Sequence, residues 1–386
     1  MAPFSPLFRT RAVLAPMVRS GQLPLRLLAL RQGAGLVYSE ELVDRKLGSC
    51  RRVFNAALQT VDFVAQGRCV LRTNEEERGR LIVQIGSADV EHAVAAARMV
   101  AGDCAGIDLN MGCPAAFSTH AGMGSGLLRN LDTACAILTA LVQELHPRGV
   151  AVSAKVRLLD TLPSTVDMMR RLQATGIDAL AVHCRRTEDR PRVPARLEWL
   201  PELVAAVDIP LIANGDMWQA DDIDRILRDG AASAMVARGA LKNLSVFNNV
   251  HVPFREILRR FTWLAIQYNM PLGYAKYTIE RMINENPGEF TQSERLVFRH
   301  ANHFQTIAHK TGITEEQYRT ICGNVTYPWS IDDESIAQYD TKKLKMAKLK
   351  EIEERTMHGW SLSEGARSAL DPVPPIPDQM EAESIA

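Results

Sequence analysis

Short apolar segments alternate with amphipathic stretches along the first part of the chain. The apolar segments have the length of strands and occupy residues 12–15, 35–38, 81–85, 106–109, 151–156, 179–182, 209–213 and 233–237. Between several of them apolar residues recur at helical spacing, over residues 90–100, 134–145, 165–174 and 220–227. Eight strands that alternate with helices predict a (β/α)8 TIM barrel of the α/β class.

A doubly wound parallel sheet is the alternative fold for such an alternation. That fold carries a glycine fingerprint directly after its first strand. The nearest candidate, residues 122–126, lacks the third glycine of the fingerprint and follows the fourth predicted strand. The pattern therefore favours the barrel.

After residue 245 the alternation stops and only helical patterns follow, over residues 254–265, 274–284, 291–311 and 314–321. We therefore expect a catalytic barrel over residues 1–245 and a small all-α domain over residues 250–330. In the segment 331–386 a Lys-rich stretch predicts one more helix, and the Pro-rich, acidic end is typical of disorder.

The composition argues against several classes of protein but does not indicate a binding partner. Lys plus Arg equals Asp plus Glu, 45 each, so the net charge is no guide to nucleic-acid binding. The seven cysteines are an odd number without a CxxC pair, which argues against a disulfide framework, a zinc ribbon and an iron–sulfur site. No apolar run approaches the ~20 residues of a membrane helix. We expect a cytoplasmic protein with no metal ion, and no obligate protein partner is evident.

Distinctive residues stand at or near the end of each predicted barrel strand. In chain order they are Pro16 and Met17, Glu40 and Glu41, Gln84, Asn110 and Cys113, Lys155 and Arg157, His183 and Arg185, Asn214 with Gly215 and Asp216, and Arg238. Taken singly, each has an ordinary interpretation, such as a solvated lysine or a turn. Together they indicate a site, because the active sites of barrel enzymes gather at the carboxyl ends of the strands.

The strongest local signal surrounds Cys113, which is followed by Pro114 and a glycine-rich loop. A free cysteine is more often inert packing, so its position at the rim is what indicates chemistry. Loops after strands seven and eight of a barrel commonly hold a phosphate, which Arg238 could grip. Since Lys155 and Gln84 suit the polar edge of a flavin ring, the set fits flavin mononucleotide (FMN) better than a sugar phosphate.

Seven motifs resemble, in order, the signatures of the tRNA dihydrouridine synthases. They are LAPM at 14–17, VQIG at 83–86, DLNMGCP at 108–114, AKVR at 154–157, AVHCR at 181–185, ANGD at 213–216 and MVARGA at 235–240. The agreement runs from about residue 11 to about residue 330, and YSEEL at 38–42 and VDFV at 61–64 look most like the eukaryotic branch acting at tRNA position 20. The resemblance implies an FMN-dependent barrel with a C-terminal helical domain, which reduces uridine in tRNA to 5,6-dihydrouridine with NADPH.

The resemblance also implies roles for individual residues. Cys113 would be the general acid that protonates C5 of uracil while reduced FMN delivers hydride to C6. The cofactor would contact Pro16, Met17, Val18, Gln84, Lys155 and His183 around its ring, and Asn214, Gly215, Asp216, Ala237 and Arg238 at its ribityl phosphate. Asn110 and Arg185 look like readers of the uracil edge. The target base would be splayed out of the folded RNA, which the helical domain would hold with Lys276, Tyr277 and Arg281.

Two other functions stay open on the sequence. An FMN-dependent barrel oxidoreductase acting on a small molecule would share the phosphate site, but it would not need the basic and aromatic helical domain. An RNA-binding scaffold on an inactive barrel would purify colourless and take up no FMN. The basic residues of the helical domain also suit a packed bundle with a solvated face.

Overall fold

Eight parallel strands close into a barrel in the computed structural model, which describes residues 3–248 and 250–323. In chain order the strands are β1 (Ala12–Leu14), β2 (Leu36–Tyr38), β3 (Leu42–Val43), β4 (Arg51–Asn55), β5 (Thr60–Ala65), β6 (Arg68–Thr73), β7 (Leu81–Gly86), β8 (Gly106–Met111), β9 (Ala151–Leu158), β10 (Ala179–Arg186), β11 (Leu211–Asn214) and β12 (Ser233–Val236). Hydrogen-bonded neighbours run β1–β2–β7–β8–β9–β10–β11–β12 and return to β1. The predicted TIM barrel is confirmed.

The barrel strands are buried on both faces, which explains their continuous apolar sequences. Every residue of β7, β8 and β9 is buried. A parallel strand with side chains packed inside the barrel and helices outside it has no solvent face, and therefore no alternation of polar residues. Gly106 permits this packing, because a Cβ there would lie 2.9 Å from Cδ1 of Ile82.

Three strands extend further toward the rim than the sequence pattern predicted: β8 ends at Met111, β9 at Leu158 and β10 at Arg186. Asn110 and His183 therefore lie within strands rather than in the loops that follow, and Lys155 lies within β9 as predicted. Strand pairing sets them side by side, since Asn110 is in register with Lys155 and His183 with Asn214. Backbone hydrogen bonding thus fixes the spacing of the predicted site residues.

A three-stranded antiparallel sheet, in the order β4–β5–β6, interrupts the barrel after β2 and was not predicted. Phe63 and Leu71, opposite each other on β5 and β6, are buried in the main core. Arg72 pairs with Asp62 at 2.6 Å and donates to the carbonyl of Tyr268 at 2.5 Å. These contacts attach the inserted sheet to the barrel and to the helical region.

Helices surround the barrel and continue after it. In chain order they are α1 (Leu23–Arg31), α2 (Asp44–Gly48), α3 (Val90–Val100), α4 (Ala116–His120), α5 (Leu131–Leu145), α6 (Leu162–Gln173), α7 (Leu200–Ala205), α8 (Ala220–Arg228), α9 (Arg238–Lys242), α10 (Phe254–Gln267), α11 (Leu272–Asn284), α12 (Gln292–His300), α13 (Phe304–Lys310) and α14 (Glu315–Gly323). The four predicted barrel helices correspond to α3, α5, α6 and α8. Asp89 and Thr161 cap α3 and α6 by accepting from backbone amides of the first turn.

The helical region after the barrel is confirmed, with one correction. The single helix predicted over residues 291–311 is wrong: α12 and α13 are separate, because Ala301 leaves the helix at φ −58° and ψ 126° and His303 is extended. Lys276 of α11 donates to the Ala301 carbonyl at 2.9 Å, which satisfies the backbone at this break. Ile257 and Phe261 of α10 are buried in the core that α1 shares.

The predicted Lys-rich helix and disordered end of segment 331–386 lie outside the described residues. In the part of the chain that the structure describes, no helix is long and apolar enough to cross a bilayer.

Candidate active site

All the residues predicted to hold a phosphate line one cleft at the carboxyl ends of β10, β11 and β12. The lining residues are His183, Arg185, Asn214, Gly215, Asp216, Met217, Trp218, Met235, Ala237, Arg238 and Gly239. Met217, Trp218, Met235 and Gly239 had not been predicted. Trp218 had a usable signal, since it lies two residues after the NGD turn at 214–216.

Two glycines shape the backbone of this cleft. Gly215 has φ 132°, and a Cβ there would lie 2.7 Å from Cβ of Ala195. A Cβ at Gly239 would lie 2.0 Å from the carbonyl oxygen of Met217. Both positions require glycine, because other parts of the chain pack closely against them and leave no space for a side chain.

Positive charge dominates the cleft. The Asp216 carboxylate accepts from Arg185 at 2.6 and 2.7 Å and from Arg238 at 3.0 Å. The Arg238 guanidinium lies 4.7 Å from the centre of the Trp218 ring. Burial and the neighbouring Arg185 lower the pKa of Arg238, although it stays a cation at neutral pH. Two guanidinium groups against one carboxylate leave a net charge that suits a phosphate.

Two buried polar atoms in the cleft, Nδ1 of His183 and Oδ1 of Asn214, have no hydrogen-bond partner within the described chain. Nε2 of His183 accepts from Arg185 at 3.2 Å, so a neutral ring carries its proton on Nδ1. Burial, reinforced by nearby cations such as Arg157, lowers the pKa of His183 well below its usual value. The cleft therefore offers one unsatisfied donor and one unsatisfied acceptor, which a ligand could satisfy.

Lys155 on β9 is a buried cation, and its ammonium has no hydrogen bond or ion pair among residues 3–248 and 250–323. Burial, followed by repulsion from Arg157, lowers the pKa of Lys155 to about 8. On the neighbouring strand β8, Asp108 accepts from Nε2 of Gln84 at 2.8 Å. Because a carboxylate only accepts, the Gln84 amide turns its nitrogen toward Asp108 and leaves its carbonyl oxygen for another donor.

The end of β8 holds the Cys113 loop. Oδ1 of Asn110 accepts from the backbone amides of Gly112 at 2.9 Å and Cys113 at 3.2 Å. The amide of Ser125 donates to the Cys113 carbonyl at 2.9 Å, so the glycine-rich segment folds back on the loop. Gly124, at φ 55°, is required there, since a Cβ would lie 2.6 Å from the Cys113 carbonyl oxygen.

Glu41, in the loop after β2, is among the residues predicted at the strand ends, but no role was predicted for it, and it lies beside Cys113. The hydroxyl of Ser118 donates to Oε1 of its carboxylate at 3.4 Å. Burial raises the pKa of Glu41, and Asn110, Cys113 and Ser118 lie close enough to its carboxylate to oppose that rise. Burial, and then the Glu41 charge, raise the pKa of Cys113 to about 12. The thiol is therefore protonated at neutral pH.

The residues predicted to contact substrate differ in accessibility. Arg185 is buried, and its guanidinium donates to the Val193 carbonyl at 2.6 Å as well as to Asp216 and His183. Lys276 is occupied by the helix break described above. The uracil-reading role of Arg185 and the tRNA contact of Lys276 stay predictions, and the structure gives both side chains other partners.

Tyr277 and Arg281 of α11 face the barrel rim. Arg19, in the turn after β1, lies 5.3 Å from the centre of the Tyr277 ring. Helix α11 also contacts α9, which begins at Arg238, so Arg281 lies near the cleft. Burial and Arg185 lower the pKa of Arg238, and the Arg281 charge adds to that effect. The same turn after β1 carries Pro16, Met17 and Val18, with Met17 buried at the rim. The helical region therefore contributes side chains to the same edge of the molecule.

A family model described as dihydrouridine synthase (Dus) matches residues 13–326. The tRNA-dihydrouridine(20) synthase (NAD(P)+) of Schizosaccharomyces pombe is 39% identical over 312 residues, which are 78% of this chain and 64% of that protein. Its Saccharomyces cerevisiae namesake is 39% identical over 295 residues, 71% of this chain and 77% of that protein. The tRNA-dihydrouridine(20a/20b) synthase of Saccharomyces cerevisiae is 29% identical over 280 residues, 71% of this chain and 72% of that protein. The chain thus spans less than two thirds of the length of the first of these relatives.

Proposed function

Because this chain belongs to the dihydrouridine synthase family, we propose that it reduces uridine to 5,6-dihydrouridine in tRNA, at position 20. One observation carries the proposal: a protonated, partly exposed thiol and a cationic cleft with unsatisfied polar atoms share one rim of the barrel. The names of the two relatives at 39% identity support position 20 and a nicotinamide reductant, which we take to be NADPH.

We assign the cleft to FMN. Arg238 would bind the phosphate, and Nδ1–H of His183 and Oδ1 of Asn214 would gain the partners that they lack in the protein alone. The Lys155 ammonium and the carbonyl oxygen of Gln84 would face the polar edge of the ring, where each has a free hydrogen-bonding function. Bound FMN would take reducing equivalents from NADPH and supply the hydride for C6 of uracil.

The chain's own part in the chemistry is to place and protonate the base. Cys113 would donate its proton to C5 of uracil, so that the S–H bond breaks as the C5–H bond forms. A pKa of about 12 keeps the proton on the sulfur until the base arrives. Asn110 holds the loop backbone, which sets the position of the sulfur. The uridine must leave the folded tRNA to reach this rim.

The helical region would hold the tRNA with Tyr277 and Arg281, which lie at the same edge as the thiol and the cleft. Lys276, already bonded to the Ala301 carbonyl, would act by keeping α11 against the break between α12 and α13. All seven cysteines are free thiols, which supports the cytoplasmic location expected from the sequence.

The test is reduction of an unmodified tRNA transcript by purified protein with FMN and NADPH, followed by mass spectrometric mapping of dihydrouridine. We expect one dihydrouridine, at position 20. A yellow protein whose flavin is reduced by NADPH but not reoxidised by tRNA would favour the small-molecule oxidoreductase. A colourless protein that takes up no FMN would favour the inactive scaffold.

A further inference from the structure

We propose that Glu41 returns a proton to Cys113 after each turnover. The proposal rests on the proposed function, in which the Cys113 thiol protonates uracil and becomes a thiolate. The thiolate must regain a proton before another base can react. The carboxylate beside it is the group that could supply one.

The carboxylate of Glu41 is held in place by packing as well as by polar neighbours. A Cβ at Gly86 would lie 2.4 Å from Oε1 of Glu41, so the glycine makes room for the carboxylate. The Ser118 hydroxyl donates to the same oxygen at 3.4 Å, and Cys113 and Asn110 lie close enough to affect the pKa of the carboxyl. The second oxygen, Oε2, is buried and makes no hydrogen bond within the described chain, which leaves it able to carry a proton.

The charges around Glu41 and Cys113 favour proton transfer from the carboxyl group to the thiolate. Burial raises the pKa of the Glu41 carboxyl, and burial together with the Glu41 charge raises that of Cys113. A thiolate formed beside the carboxylate would make the carboxylate more basic, because two like charges in contact cannot both persist. The cations facing Cys113 are Arg157 and Lys155, both on β9. They stabilise the thiolate for the short interval before it is protonated.

The proposed step balances without a further reactant. The S–H bond of Cys113 breaks as C5–H forms, and the electron pair stays on sulfur. The Glu41 carboxylate, made more basic by the adjacent thiolate, takes a proton from the solvent. Its new O–H bond then breaks as the S–H bond forms again, which returns Glu41 to the carboxylate. The solvent thus supplies the proton, and no group is oxidised or reduced in this step.

Alkylation of Cys113 tests the coupling of the two groups in the absence of tRNA. Glu41→Gln removes the negative charge at nearly constant volume, so the thiol should become more acidic. For each unit by which the pKa of the Cys113 thiol falls, the thiolate fraction at pH 8 rises ~10-fold, while the nucleophilicity of the thiolate falls ~3-fold. The reaction with iodoacetamide should therefore be about threefold faster per unit. The rate is read at Cys113 by peptide mass spectrometry, with exposed Cys322 as the internal reference.

Two further variants distinguish the effect of the contact between Glu41 and Cys113 from a general change in the Cys113 loop. Gly86→Ala should push the flexible carboxylate away without altering its charge, and should speed alkylation in the same direction. Glu40→Gln is the matched control, because the Glu40 carboxylate accepts from the amide of Arg19 at 2.6 Å and does not face Cys113. An unchanged rate in Glu41→Gln, or an equal change in Glu40→Gln, would overturn the proposal.

Kinetics with FMN-loaded protein and tRNA test the relay itself. In Glu41→Ala the first reoxidation of reduced flavin by tRNA should be at least as fast as in wild type, because the thiol is more acidic, and later turnovers should slow ~10–100-fold. Added formate should restore the later turnovers by replacing the missing carboxylic acid. If the steady-state rate of Glu41→Ala equals that of wild type, the proposed role of Glu41 is overturned, but the proposed function is not. Failure of wild type to reduce tRNA at all would overturn the proposed function, and this proposal with it.

Discussion

The buried ion pair between Arg26 and Glu77 permits a sharp prediction about stability. Nε and Nη2 of Arg26 donate to the Glu77 carboxylate at 2.8 and 2.6 Å, and the two side chains are 1% and 0% exposed. The guanidinium also donates to the carbonyls of Gly21 at 2.5 Å and Arg72 at 2.7 Å. It therefore ties α1 to the rim turn after β1 and to the inserted sheet.

Glu77→Gln would leave the Arg26 charge buried without its counter-ion. Removal of one partner of a buried pair costs ~3–5 kcal/mol, because the remaining charge stays out of water. Arg31 and Glu76 provide a matched control on the same helix and the same loop. They also form a two-bond pair, at 2.9 and 2.7 Å, but their side chains are 44% and 34% exposed. Glu76→Gln should therefore cost only ~0–1 kcal/mol.

The assay is urea unfolding of the three proteins at one pH and salt concentration, followed by circular dichroism. With a slope of ~3 kcal/mol per M, the midpoint should fall by ~1 M or more in Glu77→Gln and by ~0.3 M or less in Glu76→Gln. Equal shifts in the two variants would refute the reasoning that burial determines the contribution of the pair.

Four further predictions concern the site. Arg238→Ala should weaken FMN binding ~10- to 150-fold in a fluorescence titration, the loss of a charge-assisted hydrogen bond worth ~1.5–3 kcal/mol, whereas Arg148→Ala at the other end of the barrel should leave it unchanged. Since the pKa of Lys155 is lowered to about 8, its ammonium is charged below that pH and lost above it. FMN affinity should therefore fall as the pH rises through that value, and Lys155→Met should show weak binding without this dependence. Cys113→Ala should keep FMN and its reduction by NADPH, while stopped-flow reoxidation by tRNA should slow ~10²–10⁴-fold; an equal rate would make Cys113 a packing residue. Arg281→Glu should weaken tRNA binding and reduce the log–log salt slope by ~0.7–0.9 per lost phosphate contact, with Arg148→Glu as the control for surface charge.

Local pattern was sufficient to predict the barrel and the edge on which its site lies. Strands buried on both faces produce short apolar runs, and helices that cover them produce the helical period, so both signals are local. Parallel strands bring all their carboxyl ends to one rim. Asn110, Lys155, His183 and Asn214 could therefore be grouped from their positions at or near strand ends, before any contact between them was known.

The inserted sheet had a local signal that the alternation concealed. Its strands are rich in Val, Phe and Thr, and turns separate them at Gln59, with φ 53°, and at Gln66 and Gly67, with φ 51° and 72°. The division of residues 291–311 had no comparable signal. The helical period continues across it, and the contact from Lys276 to Ala301 comes from a different helix.

Only the tertiary structure determined which charged residues are buried and which groups they contact. Lys276 and Arg281 are both basic residues of one helix, yet the first is engaged with Ala301 and the second lies near the cleft. Glu41 was visible at a strand end, but its place beside Cys113 depends on the packing of two separate loops against Gly86. Sequence periodicity records how far a side chain is buried on average, whereas its partners depend on elements distant in the chain. Those partners, rather than the residue types, determine the pKa values on which the proposed chemistry depends.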